Sequence, residues 1–325
     1  MVSIKQIARD VGVSSATVSN ALTGKGRVSE DMAARIQRRA DELGYRPSIA
    51  ARALKTGQTR ILGLVMPDLT NPLFPQIAQK LSLQAEKQDL GILIADSHGS
   101  ADEQSHALER LLDRGVDGLL VVPQKGTTPQ PMPVPVVVIN TASDPNNSVS
   151  ADHSGGGALV ARHIAEIGHR KVLIIGGDRV SEVQQDRIAG MTEALPGEVQ
   201  AKVTWGDEGV KAVVAQARAG VTAIMTTSDL IALRVRSELL RADIAVPDQV
   251  SLTGFDDMNF AQIMHPSLTT VAQNVDEIAR VAIDIVSAKI SGEAPSQLTQ
   301  TIPMRLVVRR STSIPTQFAT RRPAQ

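Results

Sequence analysis

The chain has 325 residues, of which 42% are hydrophobic and 21% are charged, a composition typical of globular proteins and too apolar for a disordered one. It contains no cysteine, which excludes disulfides, a thiol nucleophile and thiolate metal sites. The longest apolar runs, such as 61–67 and 134–139, are too short to cross a membrane, and the N-terminus lacks the apolar segment of a signal peptide. We therefore expect a cytoplasmic protein of two or three domains.

Charge is distributed unevenly along the chain. Lys and Arg together number 34, as do Asp and Glu. Residues 1–60 contain eleven basic and five acidic residues, a net charge of +6, so 23 basic and 29 acidic residues remain in 61–325, a net charge of −6. A basic N-terminal module on an acidic body favours contact with a polyanion, such as nucleic acid, at that end. Chance clustering is the alternative.

Two short helices joined through Gly12 are predicted near the N-terminus. Ser3 and Ser14 are placed to cap them, and Val18 faces inward from the second. This spacing is typical of a helix-turn-helix, whose second helix reads base edges in the major groove through small polar side chains. The side chains offered to DNA would be Ser3, Lys5, Ser14, Ser15, Ala16, Thr17, Asn20 and, after the second helix, Arg27.

A third helix is predicted from the Ser29 cap to Leu43, where Gly44 ends it. Helical periodicity alone does not distinguish a DNA-binding headpiece from a generic three-helix bundle, which is the alternative.

The segment 47–55 predicts a helix of about two turns. An isolated helix this short is marginal in water, so a partner helix or DNA must stabilise it. Leu54 has no local core to enter, and beside Arg52 and Lys55 it fits a wedge inserted into a minor groove. A flexible linker with an incidental leucine is the alternative.

These segments, IKQIARDVGVSSATVSNALTG followed by VSEDMAARIQRRADELGYRPSIAARALKTGQTR, resemble the LacI–GalR family of bacterial transcription regulators. The resemblance implies a DNA-binding headpiece over 1–46 and a hinge over 47–60. It also implies that the hinge helix forms when a dimer sits on its operator, and that paired Leu54 side chains then open the central base step. The hinge residues that would contact DNA are Ala51, Arg52, Leu54 and Lys55.

From residue 61 onward, apolar runs alternate with amphipathic helices. Such runs predict parallel strands covered on both faces, an α/β fold. About 240 residues of these repeats imply two doubly wound lobes rather than one. The polar stretch 140–150 is interpreted as the passage between them. The predicted strands are 61–66, 91–95, 118–122, 134–139, 171–175, 223–225, 250–252 and 305–308.

In doubly wound sheets, ligands bind beyond the carboxyl ends of the strands. Carboxylates, amides and an aromatic side chain follow these strands, and a planar Arg lies on a nearby helix, which suits a polyhydroxylated ligand. For each residue taken alone, a helix cap or a solvated side chain is the alternative. The candidates are Asp68, Leu73, Phe74, Asp96, Asn140, Arg187, Ser228 and Asp256.

The segments ILGLVMPDLTNPLFPQIAQ, RGVDGLLVVP, DHSGGGALVARHIAEIGHRKVLIIGG, DRIAGM and VPDQVSLTGFDDMNFAQIMHPSLTTV resemble the sensor core of the same family. The resemblance implies a core like that of periplasmic sugar-binding proteins, over 61–312, with an effector in the cleft between two lobes. Lobe one would comprise about 61–151 and 272–302, and lobe two about 152–271 and 303–312.

By the same resemblance, Arg187 matches the arginine that grips the effector, and Asp256 matches the acidic residue after a late strand. Asn140 matches a cleft position, and Leu73 and Phe74 match the apolar wall. The chain departs from the family where Ser228-Asp229 and Arg234 replace the common Asn-Asp and a later Gly. No role is assigned to Trp205.

Other chemistries find little support in the sequence. The six histidines show no metal-ligand spacing, and the Walker and Gly-x-Ser-x-Gly patterns are absent. We interpret the glycine-rich run 154–157 as close helix packing rather than a phosphate cradle. We expect no catalytic residue, metal or cofactor. The basic tail, 313–325, is predicted to be disordered, and without a leucine heptad it favours a dimer over a tetramer.

The sequence therefore predicts an effector-responsive, non-enzymatic regulator. A homodimer would bind pseudo-palindromic operator DNA, most simply as a repressor of carbohydrate genes, and a small sugar-like effector would switch its affinity. A purine, nucleoside or sugar-phosphate effector is the alternative within the same architecture. A solute-binding protein and a sugar-processing enzyme are the rivals from other classes.

Overall fold

The structure is a computed structural model that describes residues 3–23, 28–45, 57–127, 131–294 and 299–315. It divides into two compact units, a headpiece unit, Met1–Thr59, and a core unit, Arg60–Gln325. The finer domain boundaries remain predictions. The predictions for Arg27, for the hinge helix and for the tail beyond residue 315 lie outside the described residues.

The headpiece unit contains helices α1 (Ile4–Val11), α2 (Ser15–Thr23) and α3 (Glu30–Glu42). Ser3 caps α1 as predicted, because its Oγ accepts from the backbone N–H of Gln6, and Gly12 ends the helix in the left-handed conformation. Ser29 occupies the N-cap position of α3, but its side chain makes no capping hydrogen bond. The small core consists of Ile7, Ala8, Val18, Ile36 and Ala40.

The core unit is built from strands alternating with helices. Its described strands are β1 (Ile61–Met66), β2 (Gly91–Asp96), β3 (Gly118–Val121), β4 (Val136–Asn140), β5 (Val149–Ala151), β6 (Lys171–Gly176), β7 (Gln200–Trp205), β8 (Ala223–Thr226), β9 (Ser251–Thr253), β10 (Thr270–Ala272), β11 (Gln300–Ile302) and β12 (Arg305–Val307). Its described helices are α4 (Leu73–Glu86), α5 (Ala101–Asp113), α6 (His153–Glu166), α7 (Glu182–Glu193), α8 (Gly206–Lys211), α9 (Val213–Arg218), α10 (Asp229–Arg241), α11 (Asn259–Ile263) and α12 (Val275–Ile290).

Two parallel sheets define two lobes. Lobe one contains the six-stranded sheet, in the order β11-β5-β4-β3-β1-β2, with α4, α5 and α12. Lobe two contains the four-stranded sheet, in the order β7-β6-β8-β9, with α6 to α11. The antiparallel pair β10-β12 adjoins the second sheet through a bridge between Thr253 and Thr269. This confirms the α/β class and the two doubly wound lobes. Across the described parts of the chain, no helix combines the length and apolarity that a bilayer crossing requires.

All eight predicted strands are present, with ends shifted by one or two residues. Four further strands were missed, namely β5, β7, β10 and β11. The polar stretch interpreted as the passage between lobes ends inside β5, which belongs to the sheet of lobe one. The chain leaves that sheet only after Ala151.

Helices α6 and α7 approach each other closely because glycines stand at their contact. A Cβ added to Gly157 would collide with the carbonyl oxygen of Arg187, and one added to Gly190 would collide with that of Ser154. The glycine-rich run therefore does serve close packing. Its consequence is to bring Arg187 of α7 beside His153 at the start of α6.

Candidate functional site

The second helix of the headpiece presents a short polar N-terminus. Ser14 precedes α2, and its Oγ accepts from the backbone N–H of Thr17 at 3.1 Å and lies 2.9 Å from the Thr17 hydroxyl. Ser15 and Ala16 are exposed beside this pair, while Asn20 is half-buried. The helix can therefore offer small side chains from its first turn, as reading a major groove requires.

An ion pair links two helices of the headpiece. Arg39 of α3 pairs with Asp10 of α1 at 2.7 Å and with Glu42 at 2.9 Å. Lys5, a predicted phosphate contact, is exposed on α1. The other basic residues predicted to contact DNA (Arg27, Arg52 and Lys55), together with Ala51 and Leu54, lie outside the described residues.

Among the predicted effector residues, the structure brings Arg187 on α7 into direct contact with Asp256. Its Nη2 donates to Asp256 at 2.8 Å, and the two side chains are only 4% and 6% exposed. Its Nη1 donates to the carbonyl oxygen of Thr227 at 2.6 Å, and its Nε donates to Nδ1 of His153 at 3.2 Å. The guanidinium also stacks on the ring of Phe255 at 4.1 Å. Arg187 is thus fixed in one orientation, beside residues that follow the strands of lobe two.

Burial dominates the electrostatics around this arginine. Desolvation lowers the pKa of His153 well below its usual value, and the nearby Arg187 lowers it further. His153 is therefore neutral and free to accept from the arginine. Burial raises the pKa of Asp256, while the Arg187 charge opposes that shift.

A second buried carboxylate, Asp229, stands beside Asp256 at the start of α10. Its oxygens accept from the backbone N–H of Met258 at 2.7 Å and from the Thr270 hydroxyl at 2.6 Å. Burial, followed by repulsion from Asp256, raises the pKa of Asp229 to about 7. Asp229 joins three segments of lobe two, and its carboxyl titrates near neutral pH.

The lobe-one candidates organise the loops at their strand ends. Asp96 accepts from the backbone N–H groups of His98 at 2.7 Å and Leu69 at 3.1 Å, which links the loops after β1 and β2. Asp68 accepts from the Thr70 hydroxyl and backbone, which lower the pKa of its carboxyl. The apolar candidates, Leu73 and Phe74, are half-buried against the core of the same lobe.

The two remaining candidates have protein partners of their own. Ser228 caps α10, since its Oγ accepts from the backbone N–H of Ile231 at 3.3 Å. The Asn140 amide donates to Asp144 at 2.9 Å in its own lobe and to Glu182 of lobe two at 3.2 Å. The structure thus places Asn140 at the boundary between the lobes.

A polar cavity of about 540 Å³ adjoins Asp256, between α4 of lobe one and the segments 272–276 and 303–305. Its volume is in the range of small-molecule sites. Gln273, which lines it, donates to Asp256 at 2.7 Å. The lining residues are Gln76, Gln79, Lys80, Asp256, Asp257, Asn259, Ala272, Gln273, Asn274, Val275, Asp276, Pro303, Met304 and Arg305. Of the predicted effector residues, only Asp256 lines this cavity.

Sequence reasoning missed His153, Thr227 and Gln273 as members of this site. Asp229 was seen only as the neighbour of Ser228. Its place directly after a strand, the signal used for Asp68 and Asp256, was available for it too. Among the described residues, no group of three or more His, Asp or Glu side chains is placed to hold a metal ion.

A helix-turn-helix headpiece and a two-lobed ligand-binding core in one chain define a ligand-responsive DNA-binding protein. Residues 3–48 match the lacI family of bacterial regulatory proteins, and residues 161–312 match the periplasmic binding protein-like domain. A LacI-family chain from Sanguibacter keddieii is 30% identical, with 78% of this chain and 98% of that chain covered and a TM-score of 0.66. The chain belongs to the LacI family of bacterial transcription regulators.

More distant relatives cover nearly the whole chain. The ribose operon repressor of Haemophilus influenzae is 27% identical over 96% of this chain and 98% of its own length. The repressor PurR of the same species, strain PittEE, is 28% identical over the same shares. A lac repressor dimer bound to operator has the same fold, with a TM-score of 0.83 at 22% identity over 96% of this chain and 99% of that one.

Proposed function

We propose that this regulator is a homodimeric repressor of carbohydrate uptake or breakdown genes, and that a small sugar-like effector in the cleft switches its operator affinity. The observation that carries the effector assignment is the buried Arg187–Asp256 pair beside a polar cavity. A fixed planar donor next to carboxylate and amide acceptors suits hydroxyl groups, which both donate and accept. The full set assigned to the effector is Asp68, Leu73, Phe74, Asp96, Asn140, Arg187, Ser228 and Asp256.

The charges around the cavity favour an uncharged ligand over a sugar phosphate. Lys80 pairs with Asp276 at 2.9 Å, and Arg305 lies 3.9 Å from Asp257. The third carboxylate of the lining, Asp256, is paired with the buried Arg187. A phosphate would therefore enter a site whose positive charges are already matched, at a cost in desolvation.

A purine or nucleoside remains the second candidate, favoured by the similarity to the PurR relatives. Flat bases are commonly held by stacking on aromatic rings. None of the described residues that line the cavity is aromatic. Amide side chains dominate the lining instead, and this favours hydroxyl groups over a flat base.

An exposed apolar surface on lobe two supports the homodimer. Leu240 on α10 and Ile263 on α11 are 60% and 79% exposed, and Leu233 on α10 is also exposed. A second copy of the chain would cover these apolar side chains.

The proposal is tested by fluorescence anisotropy of the full chain on DNA from upstream of its own gene, at two salt concentrations. Neutral sugars, sugar phosphates and nucleobases are added in turn. The intrinsic fluorescence of the single tryptophan, Trp205 at the end of β7, is recorded in the same titrations. Tight binding released by a neutral sugar is expected. If a nucleobase or a sugar phosphate, but no neutral sugar, releases the protein from DNA, the proposed class of effector is wrong. The assignment as a DNA-binding regulator would then still hold.

A further inference from the structure

The two lobes touch through a row of side chains at the mouth of the cleft. On lobe two the row is acidic and follows one side of α7 and the loop before it: Asp178, Glu182 and Asp186, four residues apart. Because Glu182 and Asp186 are four residues apart on α7, their carboxylates lie on one face of that helix. Each of the three accepts from a donor on lobe one.

The innermost contact of the row is the most buried. The Thr141 hydroxyl, wholly inaccessible to solvent, donates to Oδ2 of Asp186. The Ser143 hydroxyl donates to the same oxygen at 2.8 Å. Both donors lie just after β4, so a single carboxylate of lobe two holds the end of a lobe-one strand. Hydrogen bonds to a charged acceptor are stronger than neutral ones.

The two outer contacts continue the same row of side chains towards solvent. Asn140 donates to Glu182 at 3.2 Å, and Lys125 pairs with Asp178 at 3.2 Å with both side chains nearly half exposed. Exposed pairs of this kind contribute little by themselves. We therefore assign the main role to Asp186 and treat the outer pairs as its extension.

We propose that these contacts form a latch that holds the two lobes together without any ligand. The latch consists of Asp178, Glu182 and Asp186 on lobe two with Lys125, Asn140, Thr141 and Ser143 on lobe one. Because Asp186 immediately precedes Arg187 on α7, the residue that closes the lobes and the candidate effector-gripping residue move together. The latch fixes the angle between the two lobes in the absence of ligand, and a bound effector would have to change this angle. This inference does not depend on the identity of the effector or of the DNA.

The cysteine-free sequence makes the lobe separation directly measurable. Spin labels are placed through Asp102→Cys on α5 of lobe one and Glu208→Cys on α8 of lobe two, both exposed in the first turn of their helix. Double electron–electron resonance on the ligand-free full chain, mixed with an excess of unlabelled chain so that a dimer carries at most one labelled copy, then gives the distance between lobes. With the latch intact, we expect one narrow distribution.

Removing either side of the latch should give the same result. Thr141→Val with Ser143→Ala, on lobe one, and Asp186→Ala, on lobe two, should each move the distribution to longer distances. Combining them should add no further shift, since both break the same contacts. Glu193→Gln removes a charge from the same helix at an exposed position outside the latch and should leave the distribution unchanged.

An unchanged distance in latch variants whose circular dichroism shows a folded core would overturn the proposal. A shift from one side only, or an additive shift, would also overturn it, because the contact between the lobes would then not be the cause. If Asp186→Ala does not fold, the lobe-one pair decides alone, since it leaves α7 untouched.

Discussion

Arg187 and Asp256 form an ion pair of 2.8 Å although both side chains are almost completely buried. The pair is further stabilised because His153, the Thr227 carbonyl and the Phe255 ring also contact the guanidinium. These contacts hold both charged side chains in one orientation. The pair is costly to break from one side, because the remaining charge then has no partner.

Arg187→Ala should therefore act on both stability and response. Leaving Asp256 uncompensated should cost about 3–5 kcal/mol in the free energy of unfolding, measured with urea. The variant should still bind DNA without effector and should lose the effector response. The double variant Arg187→Met/Asp256→Leu, which removes both charges at similar volume, should recover most of the stability but not the response. If Arg187→Ala still responds at wild-type effector concentrations, Arg187 is not the grip.

The sequence predicts a contact of this site more readily when the contacting residues are close together along the chain. Arg187 and Asp256 were found because each stands in a segment similar to the family, Arg187 on a helix and Asp256 after a strand. The contact of Arg187 with His153 spans 34 positions and depends on close glycine packing between α6 and α7. No periodicity in the sequence carries that information.

The missed strands have a related explanation. Strands β5 and β11 contain three residues each and pair with each other, Val149 opposite Gln300. Segments this short show no alternation of their own, and their partner lies about 150 residues away. Strand β7 is longer, but as an edge strand with mostly exposed residues it lacks the apolar run by which the others were recognised.

Asp229 should make stability fall as pH rises through neutrality. Burial raises the pKa of its carboxyl to about 7, above the value of an unfolded chain, so the folded state favours the protonated form. The stabilisation is full at pH values below the unfolded pKa and is lost as pH rises towards and past 7. Asp229→Asn removes this titration, so the free energy of wild type minus that of the variant should decrease between pH 5 and pH 8.

Urea unfolding of both proteins across this range measures that difference. The same substitution at the exposed Asp113 controls for the removal of a charge alone. A difference between wild type and Asp229→Asn that does not vary with pH would show that Asp229 does not titrate in this window.

His169 should make the stability of the fold decrease as pH falls into the acidic range, the opposite of the effect of Asp229. Its Nε2 donates to the Ser313 carbonyl at 3.0 Å, so its Nδ1 accepts from the Thr222 hydroxyl at 2.8 Å, and the ring is neutral. Burial lowers its pKa to about 4. A lowered histidine pKa stabilises the fold above the unfolded value of about 6.5, and this stability is lost as pH falls from there towards 4.

His169→Gln should cost about 1–3 kcal/mol near pH 7.5 through lost hydrogen bonds, and should flatten the decline in stability between pH 6.5 and pH 4. The matched variant His106→Gln, at an exposed position on α5, should change neither quantity. An equally steep acid decline in His169→Gln would assign that decline to other groups.

Leu54→Ala tests the predicted wedge, which lies outside the described residues. A wedge contributes apolar contact and DNA bending but no charge, so the variant should weaken operator binding by a few kcal/mol and leave its salt dependence unchanged. Lys55→Ala is the matched control from the same segment. It should weaken specific and non-specific DNA alike and should reduce the slope of log affinity against log salt by about 1. Anisotropy titrations at several salt concentrations separate the two effects. Unchanged operator affinity in Leu54→Ala would mean that the hinge binds through its charges, because a leucine that opens a base step cannot be truncated without loss.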